Sequence, residues 1–213
     1  MKTREERIQG MINKMRTKAQ RFNVVLVLIL SGVLSGCGTT SALRTPDSRV
    51  LPNLSKYTKV IVLDFKDGTM KNIKDAKKHL AYQETVMNAG KNFADRIASE
   101  IRKTTIFDEV SRAQLPEEAI VISGVITRYE EGSSAMRFWV GMGAGSSYLD
   151  AEVNFGDNLN QQELGTIKVD KNSWFLGGGL ASGQTVEAFM QVASQKIAKE
   201  LVRAKTTVIT HGL

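Results

Sequence analysis

A single cysteine, Cys37, closes a short apolar segment near the start of this 213-residue chain, and its placement constrains the chain more than any other feature. The segment before it is basic and contains no acidic residue after Glu6. An almost unbroken apolar run, Val24 to Leu34, follows, and small residues then lead to the cysteine. This order of a positive region, an apolar region and small residues is typical of a bacterial secretory signal. Because Cys37 has no partner cysteine in the chain, a disulfide within it is excluded.

The run Leu34-Ser35-Gly36-Cys37 resembles a lipobox, the processing site of bacterial lipoproteins. The resemblance implies that the sulfur of Cys37 is diacylated, that the chain is cut before it, and that the new amino group receives a fatty acid such as palmitate. One acyl chain binds a bilayer only marginally, with an association constant on the order of 10⁴ M⁻¹, whereas two or more hold it stably. Gly38 rather than Asp follows the cysteine, which resembles the signal for export to the outer membrane.

An uncleaved membrane helix is the alternative interpretation of the apolar run. A spanning helix needs about 20 apolar residues, whereas Asn23 and the small, polar stretch 35–40 leave only about 11 here. A cleaved signal over residues 1–36 is therefore predicted. After it we expect a flexible tether over residues 37–55, rich in Ser and Thr and without a sustained period, and a single periplasmic domain over residues 56–213.

The formal net charge of +7 belongs mostly to the predicted signal. Residues 1–36 contain seven Lys and Arg and two Glu, so the remaining 177 residues hold 22 basic and 20 acidic side chains. No basic stripe with interleaved aromatic residues remains to neutralise phosphates, so nucleic-acid binding loses its main support. A chain of this length buries enough surface to form one domain without disulfides, even in an oxidising compartment.

The hydrophobic periodicity predicts an α+β domain of two layers, with a mixed or mainly antiparallel sheet of about five strands and two amphipathic helices. Apolar residues recur every three or four positions over 84–103 and 184–205, which is typical of helices that place one stripe on a core. The polar, lysine-rich stretch 66–83 is expected to be a loop or a loosely helical insertion. The predicted strands cover residues 59–65, 107–112, 119–129, 147–155 and 164–169.

A glycine-rich run, Gly141-Met142-Gly143-Ala144-Gly145, lies between two predicted strands. A phosphate cradle of the P-loop type needs a lysine and a helix at its end, and a dinucleotide fingerprint needs a helix at the same point. Here no lysine follows and the next segment alternates like a strand, so both nucleotide sites are rejected. The glycines are expected to let the backbone bend or pass closely between strands.

The same run carries a family resemblance. Arg137 precedes the glycines, and with Gly141, Gly143 and Gly145 it forms a box that resembles the signature of a family of bacterial lipoproteins known only as a domain of unknown function. The resemblance extends from the first predicted strand to the final helix, and it leaves open only the length of the hairpin turn after Phe155. Because that family has no established activity, the resemblance implies no functional residue.

A looser resemblance, in the order of elements, is to the amino-terminal domain of TolB, to the lipoproteins that activate penicillin-binding proteins and to the curli secretion lipoprotein. It rests on the strand over 60–65, the amphipathic helix after it, the short strand over 107–110 and the β-branched strand over 120–126. This resemblance implies an α/β periplasmic module that binds partner proteins.

Few residues are placed for catalysis or metal binding. His79 and His211 are the two histidines, and neither has a carboxylate or nucleophile at a recognisable spacing, so both are expected to be exposed. The acidic pairs Glu117-Glu118 and Glu130-Glu131 are adjacent residues that would point apart on a strand. No metal site and no cofactor are therefore predicted.

Two tryptophans and a lysine cluster are the candidate contact surfaces. Trp139 and Trp174 stand beside glycine-rich stretches and are interpreted either as core cover or as an exposed patch for a partner. The lysine cluster is expected to be solvated, and its distance along the chain from Cys37 gives no reason to place it on an anionic membrane. The lysines of this cluster are Lys71, Lys74, Lys77 and Lys78.

The sequence thus predicts a lipid-anchored protein of the outer membrane of a Gram-negative bacterium, facing the periplasm. It is expected to bind or scaffold other envelope proteins, or itself, without being an enzyme. Two alternatives stay open: a subunit of an oligomeric export or assembly complex, and an envelope hydrolase whose carboxylates cannot be paired from sequence. A deep pocket with a carboxylate of shifted pKa would favour the hydrolase, and a ring-shaped assembly would favour the export complex.

Overall fold

The computed structural model describes residues 38–46, 51–71, 73–132, 147–172 and 185–207. The described residues form seven strands and two helices, numbered here in chain order. They are β1 (Gly38–Thr40), β2 (Lys59–Val62), β3 (Lys66–Asp67), α1 (Ala76–Thr104), β4 (Glu109–Ser111), β5 (Ile120–Glu130), β6 (Tyr148–Asp157), β7 (Glu163–Asn172) and α2 (Val186–Thr206).

All of these strands belong to one mixed sheet, whose order is β1-β7-β6-β5-β2-β4. The two-residue β3 also pairs with β5, beyond the end of β2. Strands β5, β6 and β7 form an antiparallel meander, and β1 is antiparallel to β7 at its outer edge. Strands β2 and β3 run parallel to β5, and β4 runs parallel to β2. The predicted α+β class is confirmed, and the sheet is wider than predicted because β1 extends it.

The strands lie where the sequence alternates or where β-branched residues cluster. Strand β2 is covered on both faces, since Val60, Ile61 and Val62 are all fully buried. Strand β6 buries alternate residues from Leu149 to Phe155, which confirms the predicted half-buried strand. Strand β4 is the predicted short edge strand, at one margin of the sheet.

Helix α1 is longer than its apolar period predicted. Its buried stripe from Val86 to Ile101 has the expected spacing. The helix nevertheless begins at Ala76, because the side chain of Asp75 accepts a hydrogen bond from the backbone N–H of Lys78 and caps the helix. Of the two expectations for residues 66–83, the loop is wrong from Ala76 onward, where the chain is helical as the second expectation allowed, but as a regular part of α1. Residues 76–85 include no fully buried position, and only Tyr82, which is partly buried against the core, continues the apolar spacing of the helix.

Helices α1 and α2 pack side by side on one face of the sheet and enclose a single core. Helix α2 begins where the Thr185 hydroxyl accepts a hydrogen bond from the N–H of Ala188. Helix α1 approaches the sheet closely at Gly90, where a Cβ would lie 2.2 Å from the carbonyl oxygen of Phe65. Glycine is needed there because any larger side chain would push the helix away from the Phe65 backbone.

The predicted flexible tether over residues 37–55 is wrong for the part of it that the structure describes. Strand β1 pairs with β7, with Gly38 opposite Lys171. Leu43 and Leu54 are 1% and 0% exposed and belong to the core. The backbone N–H of Leu54 also donates to the carbonyl oxygen of Ala204 near the end of α2. A polar segment with isolated leucines has no period, but distant partners along the chain hold it in place.

Candidate functional site

The sheet has two ends with different chemistry. At the Tyr129 end, defined by Gly38, Tyr129, Tyr148 and Lys171, strands β5 and β7 finish while β1 and β6 begin. Both helices start near this end, since residues of α1 and Glu187 of α2 line one surface depression with Tyr129. At the opposite end, here called the Asp157 end, β6 turns into β7.

All of the candidate site residues predicted from sequence lie outside the described residues, but their described neighbours lie at the Tyr129 end. Gly38 follows Cys37 in the chain, and Gly132 and Ser147 flank the segment that carries the glycine box. The Ser147 hydroxyl donates a hydrogen bond to the Glu131 carbonyl oxygen over 2.6 Å. The predicted residues outside the described part are Cys37, Arg137, Trp139, Gly141, Gly143, Gly145 and Trp174.

One row of paired residues crosses the sheet at the Tyr129 end. Gly38 of β1 pairs with Lys171 of β7, Lys171 pairs with Leu149 of β6, and Leu149 pairs with Tyr129 of β5. Three spacings between neighbouring strands, each about 4.8 Å, therefore separate the first residue of β1 from Tyr129. The start of β1 and the end of β5 lie on the same side of the molecule.

A groove runs from this row along the beginning of α1. The Tyr82 hydroxyl donates a hydrogen bond to the Tyr129 carbonyl oxygen over 3.2 Å. The ammonium of Lys71 lies 4.7 Å from the centre of the Tyr82 ring, within range of a cation–π contact. Beside Tyr82, a depression of about 460 Å³ extends from Asp67 to His79. The groove joins aromatic rings, a lysine and backbone polar groups.

The hydroxyl of Tyr129 donates a hydrogen bond to a carboxylate oxygen of Glu131 over 3.3 Å. Burial of the ring, followed by the negative charge of Glu131, raises the pKa of Tyr129 well above its ordinary value of 10.0. The phenol therefore stays protonated at neutral pH and acts as a hydrogen-bond donor, not as a base.

His79 is half-buried, so the expectation that it is exposed is wrong. Its Nδ1 atom is buried and has no hydrogen-bond partner among the described residues. The backbone N–H of His79 donates to the Asp75 carbonyl oxygen within the first turn of α1. The imidazole thus lines the groove without a carboxylate or nucleophile in hydrogen-bond contact.

The sheet face opposite the helices is polar near the Tyr129 end. The guanidinium of Arg128 lies 3.4 Å from the centre of the Tyr148 ring, and Arg128 is paired across the strands with Asp150, which is itself paired with Asp170. Burial, followed by the charge of Asp170, raises the pKa of the Asp150 carboxyl. Arg128 opposite Asp150 is a favourable cross-strand pair, whereas the two carboxyls of Asp150 and Asp170 oppose each other as like charges.

The Asp157 end holds the most connected carboxylate of the described chain. Asp157 is 3% exposed and accepts hydrogen bonds from the Tyr57 hydroxyl over 2.7 Å and from the backbone N–H groups of Leu159 and Asn160. Burial alone would raise the pKa of this carboxyl, but the hydrogen bonds outweigh it and lower the pKa to about 2. Burial and the bond to Asp157 raise the pKa of Tyr57 to about 12. This network fixes the turn between β6 and β7.

The described residues offer binding surfaces more than reactive groups. Among them, no cluster of three or more His, Cys, Asp or Glu side chains is placed to hold a metal ion. Neither described helix combines the length and apolarity that crossing a bilayer requires. The Tyr129 end combines exposed lysines, aromatic rings and backbone groups, which suits contact with a larger surface.

The fold and the site together define a two-layer α+β domain whose chain connections and groove gather at one end. Residues 60–177, more than half of the chain, match the family described as "Domain of unknown function (DUF4410)", and the chain belongs to that family. The predicted membership of a family known only as a domain of unknown function is confirmed at this level. The lipoprotein character and the likeness to TolB stay predictions. No protein of curated function matches the sequence.

Several solved structures are similar to the chain. A variant of the PelC dodecamer from Paraburkholderia phytofirmans is 17% identical, with a TM-score of 0.49, over 80% of this chain and 99% of that one. A Xanthomonas campestris protein of the DUF330 family is 11% identical, with a TM-score of 0.39, over 80% and 98% of the two chains. A putative neuraminyllactose-binding hemagglutinin homolog from Helicobacter pylori is 10% identical, with a TM-score of 0.33, over 80% and 94%.

Sequence reasoning missed the groove residues Tyr82 and Tyr129 and the strand that begins at Gly38. A usable signal existed for Tyr82, which lies four residues before Val86 and packs, partly buried, one turn before the buried stripe of α1. Asp75 three residues before Lys78 was a second signal, since Asp is a preferred N-cap. Strand β1 carried no such signal, because its three residues are Gly and Thr.

Proposed function

We propose that this protein is a lipid-anchored protein of the cell envelope, acylated at Cys37 and held on the outer membrane with its domain in the periplasm. There it binds other envelope proteins or further copies of itself and is not an enzyme. The lipobox-like run before Cys37 and the glycine after it support this assignment.

One observation carries the proposal. The first described strand, β1, starts at Gly38 and pairs with β7. The lipobox predicts that the mature protein begins one residue earlier, at Cys37. A cut before Cys37 would therefore leave the sheet intact.

The non-enzymatic part of the proposal is supported by what the titrating groups do. Asp157 and Tyr57 hold a turn, and Tyr129 closes the end of β5 through Glu131. Burial is the first cause of the raised pKa values of Tyr57 and Tyr129, and hydrogen bonds within the fold lower the pKa of Asp157. The fold by itself accounts for the surroundings of these three groups, without a bound substrate.

The anchoring is tested by comparing the parent protein with Cys37→Ser in the native host. We expect the parent to float with outer-membrane vesicles and its intact mass to include three fatty acyl chains. Cys37→Ser should lack the acyl mass and stay unprocessed. A variant that is cut, exported and retained like the parent, or a parent without acyl groups, would contradict the anchoring.

The binding role is tested by mild crosslinking of the acylated protein in the envelope, followed by mass spectrometry of the adducts. We expect defined adducts with envelope proteins or with the chain itself, and we expect Trp139→Ala or Trp174→Ala to weaken them. Adducts that remain unchanged in both variants would contradict a partner surface at these tryptophans.

A further inference from the structure

We propose that the Tyr129 end of the domain rests directly on the bilayer, through a lysine patch that contacts anionic phospholipid headgroups. This inference depends on the proposed anchoring at Cys37 and adds an orientation and a ligand class to it. The lysine patch consists of Lys71, Lys74, Lys77 and Lys78, together with the exposed apolar side chains of Met70 and Leu80.

The proposed anchor, Cys37, lies one residue before the first strand of the sheet. A flexible tether of the length predicted from sequence would allow the domain to move up to about 60 Å from the lipid. Gly38 is instead already paired with Lys171. Consecutive Cα atoms are about 3.8 Å apart, so an acylated Cys37 would hold the start of β1 at the headgroups.

A row of paired residues and two side-chain contacts connect the start of β1 to the lysine patch. Gly38 and Tyr129 belong to one row across the sheet, about 14 Å apart at the usual strand spacing. Tyr82 is bonded to Tyr129, and Lys71 stacks on Tyr82. The patch therefore lies at the same end of the molecule as the anchor, although it is distant from Cys37 along the chain.

The lysine patch combines positive charge with exposed apolar side chains. Among the described residues, none of its four lysines is within ion-pairing distance of a carboxylate, and all four are exposed. The nearby acidic groups are Asp75, which caps α1, Asp67, which lines one depression with Met70 and Lys71, and Glu130 and Glu131, which line another with Lys71. Met70 and Leu80 are 96% and 64% exposed, so the patch presents apolar as well as cationic surface. Cationic and apolar groups together suit the headgroup region of a bilayer.

Anionic lipid explains the patch better than a second copy of the chain does. A two-fold contact through this surface would set the same lysines against each other, and like charges oppose such a contact. Anionic headgroups neutralise the lysines, and basic side chains held close to a membrane surface are attracted to such headgroups.

Amine footprinting of the intact acylated protein tests the proposal. The protein is placed in detergent micelles, in vesicles of phosphatidylcholine, and in vesicles of phosphatidylcholine with phosphatidylglycerol, and the acetylation of each lysine by a membrane-impermeant reagent is followed by mass spectrometry. We expect the four patch lysines to react about fivefold more slowly on the anionic vesicles than in micelles, equivalent to about 1 kcal/mol per lysine. Lys103, whose side chain is 63% exposed at the far end of α1, should react at the same rate in all three.

A matched pair of variants separates the patch from general surface charge. In the triple variant Lys74→Gln/Lys77→Gln/Lys78→Gln, the acetylation rate of Lys71 on anionic vesicles should rise to the rate measured in micelles. The control removes three exposed lysines elsewhere, and in it Lys71 should stay protected. The control substitutions are Lys91→Gln, Lys168→Gln and Lys199→Gln.

Equal reactivity of the patch in micelles and on anionic vesicles would overturn the proposal, and so would equal protection on neutral and anionic vesicles. Protection in micelles that grows with protein concentration would also overturn it, in favour of contact between copies. If the intact mass shows no acyl chains, the proposed function fails by itself. The free Cys37 thiol is then coupled to a maleimide-bearing phosphatidylethanolamine in the same vesicles, and the footprint still decides whether this end faces the lipid.

Discussion

At the scale of single residues, Asp157 shows how hydrogen bonds can reverse the effect of burial on a carboxyl group. The side chain is buried and would be costly to ionise alone. The Tyr57 hydroxyl and two backbone N–H groups nevertheless hold the charged form. Because Tyr57 is itself 1% exposed, each partner satisfies a buried group of the other.

Removing one side of this pair should change both stability and its dependence on pH. The pKa of Asp157 is lowered from 3.8 to about 2 in the folded state. Its stabilisation is therefore fully present above pH 3.8 and is lost as the pH falls towards 2. We expect Asp157→Asn to flatten the loss of unfolding free energy over that range in urea titrations. A slope equal to that of the parent would contradict the assignment.

Two further variants, Tyr57→Phe and Asp157→Ala, are compared with the parent in the same urea titrations. Tyr57→Phe removes one donor and should lower the unfolding free energy by about 1 kcal/mol at pH 7. Asp157→Ala should cost more, about 1–3 kcal/mol, because it leaves the buried Tyr57 hydroxyl without a partner. The reverse order of the two costs would show that the turn, and not the pair, dominates.

Gly90 sets how closely α1 approaches the sheet. We expect Gly90→Ala to lower the unfolding free energy by about 1–3 kcal/mol, since its methyl group would overlap the Phe65 carbonyl. Gly156→Ala is the matched control, because the nearest atom to a Cβ there is 3.5 Å away, an ordinary contact. Thermal unfolding of the two variants distinguishes close approach from a general intolerance of glycine substitution.

At the scale of elements, local patterns were enough wherever an element buries its own regular stripe. The spacing from Val86 to Ile101 predicted the core face of α1, and the alternation from Leu149 to Phe155 predicted β6. Strand β1 escaped prediction because it depends on a partner far along the chain, as the hydrogen bond between Ser41 and Lys168 shows over 127 residues. Such pairing leaves no periodic trace in a three-residue strand.

The candidate site divides in the same way. Asp75 and Tyr82 carried local signals for the early start of α1, whereas the row that joins Gly38 to Tyr129 depends on the pairing of four strands. The placement of the lysine cluster at the same end of the sheet as the start of β1 follows only from that pairing. Distance along the chain was therefore a poor guide to the distance between the cluster and Gly38.

The segment after β1 gives an element-scale prediction. Leu43 is 1% exposed, and its backbone N–H donates to a carboxylate oxygen of the buried Glu200 on α2 over 3.3 Å. We expect Leu43→Ala to lower the unfolding free energy by about 2–5 kcal/mol. Leu159→Ala, at a position 57% exposed, should change it by no more than about 0.5 kcal/mol. A small effect at Leu43 would restore the flexible tether that the sequence suggested.

At the scale of the whole molecule, the sheet already begins at Gly38, the residue after the proposed lipidation site. Strand β1 completes the edge of the sheet, and Leu43 and Leu54 fill the core beneath it. The Tyr129 end contains the start of β1, the groove and the starts of both helices, while the Asp157 end contains a turn fixed by several hydrogen bonds. The two ends of the domain therefore differ in chemistry, and an anchor at Cys37 would place the Tyr129 end towards the membrane.

Two fragments test whether the first residues belong to the domain. A chain of residues 38–213 should unfold in one cooperative urea transition. A chain of residues 56–213, the domain predicted from sequence, loses β1 and two buried leucines, and we expect its unfolding free energy to fall by at least about 4 kcal/mol. That loss is a large part of the total stability of about 5–15 kcal/mol for a domain.

The shorter chain also exposes the edge of β7, so it should self-associate in sedimentation experiments while the longer chain does not. Equal urea midpoints and equal sedimentation would place the boundary of the domain after residue 55, and the anchor would then again lie at the end of a flexible tether.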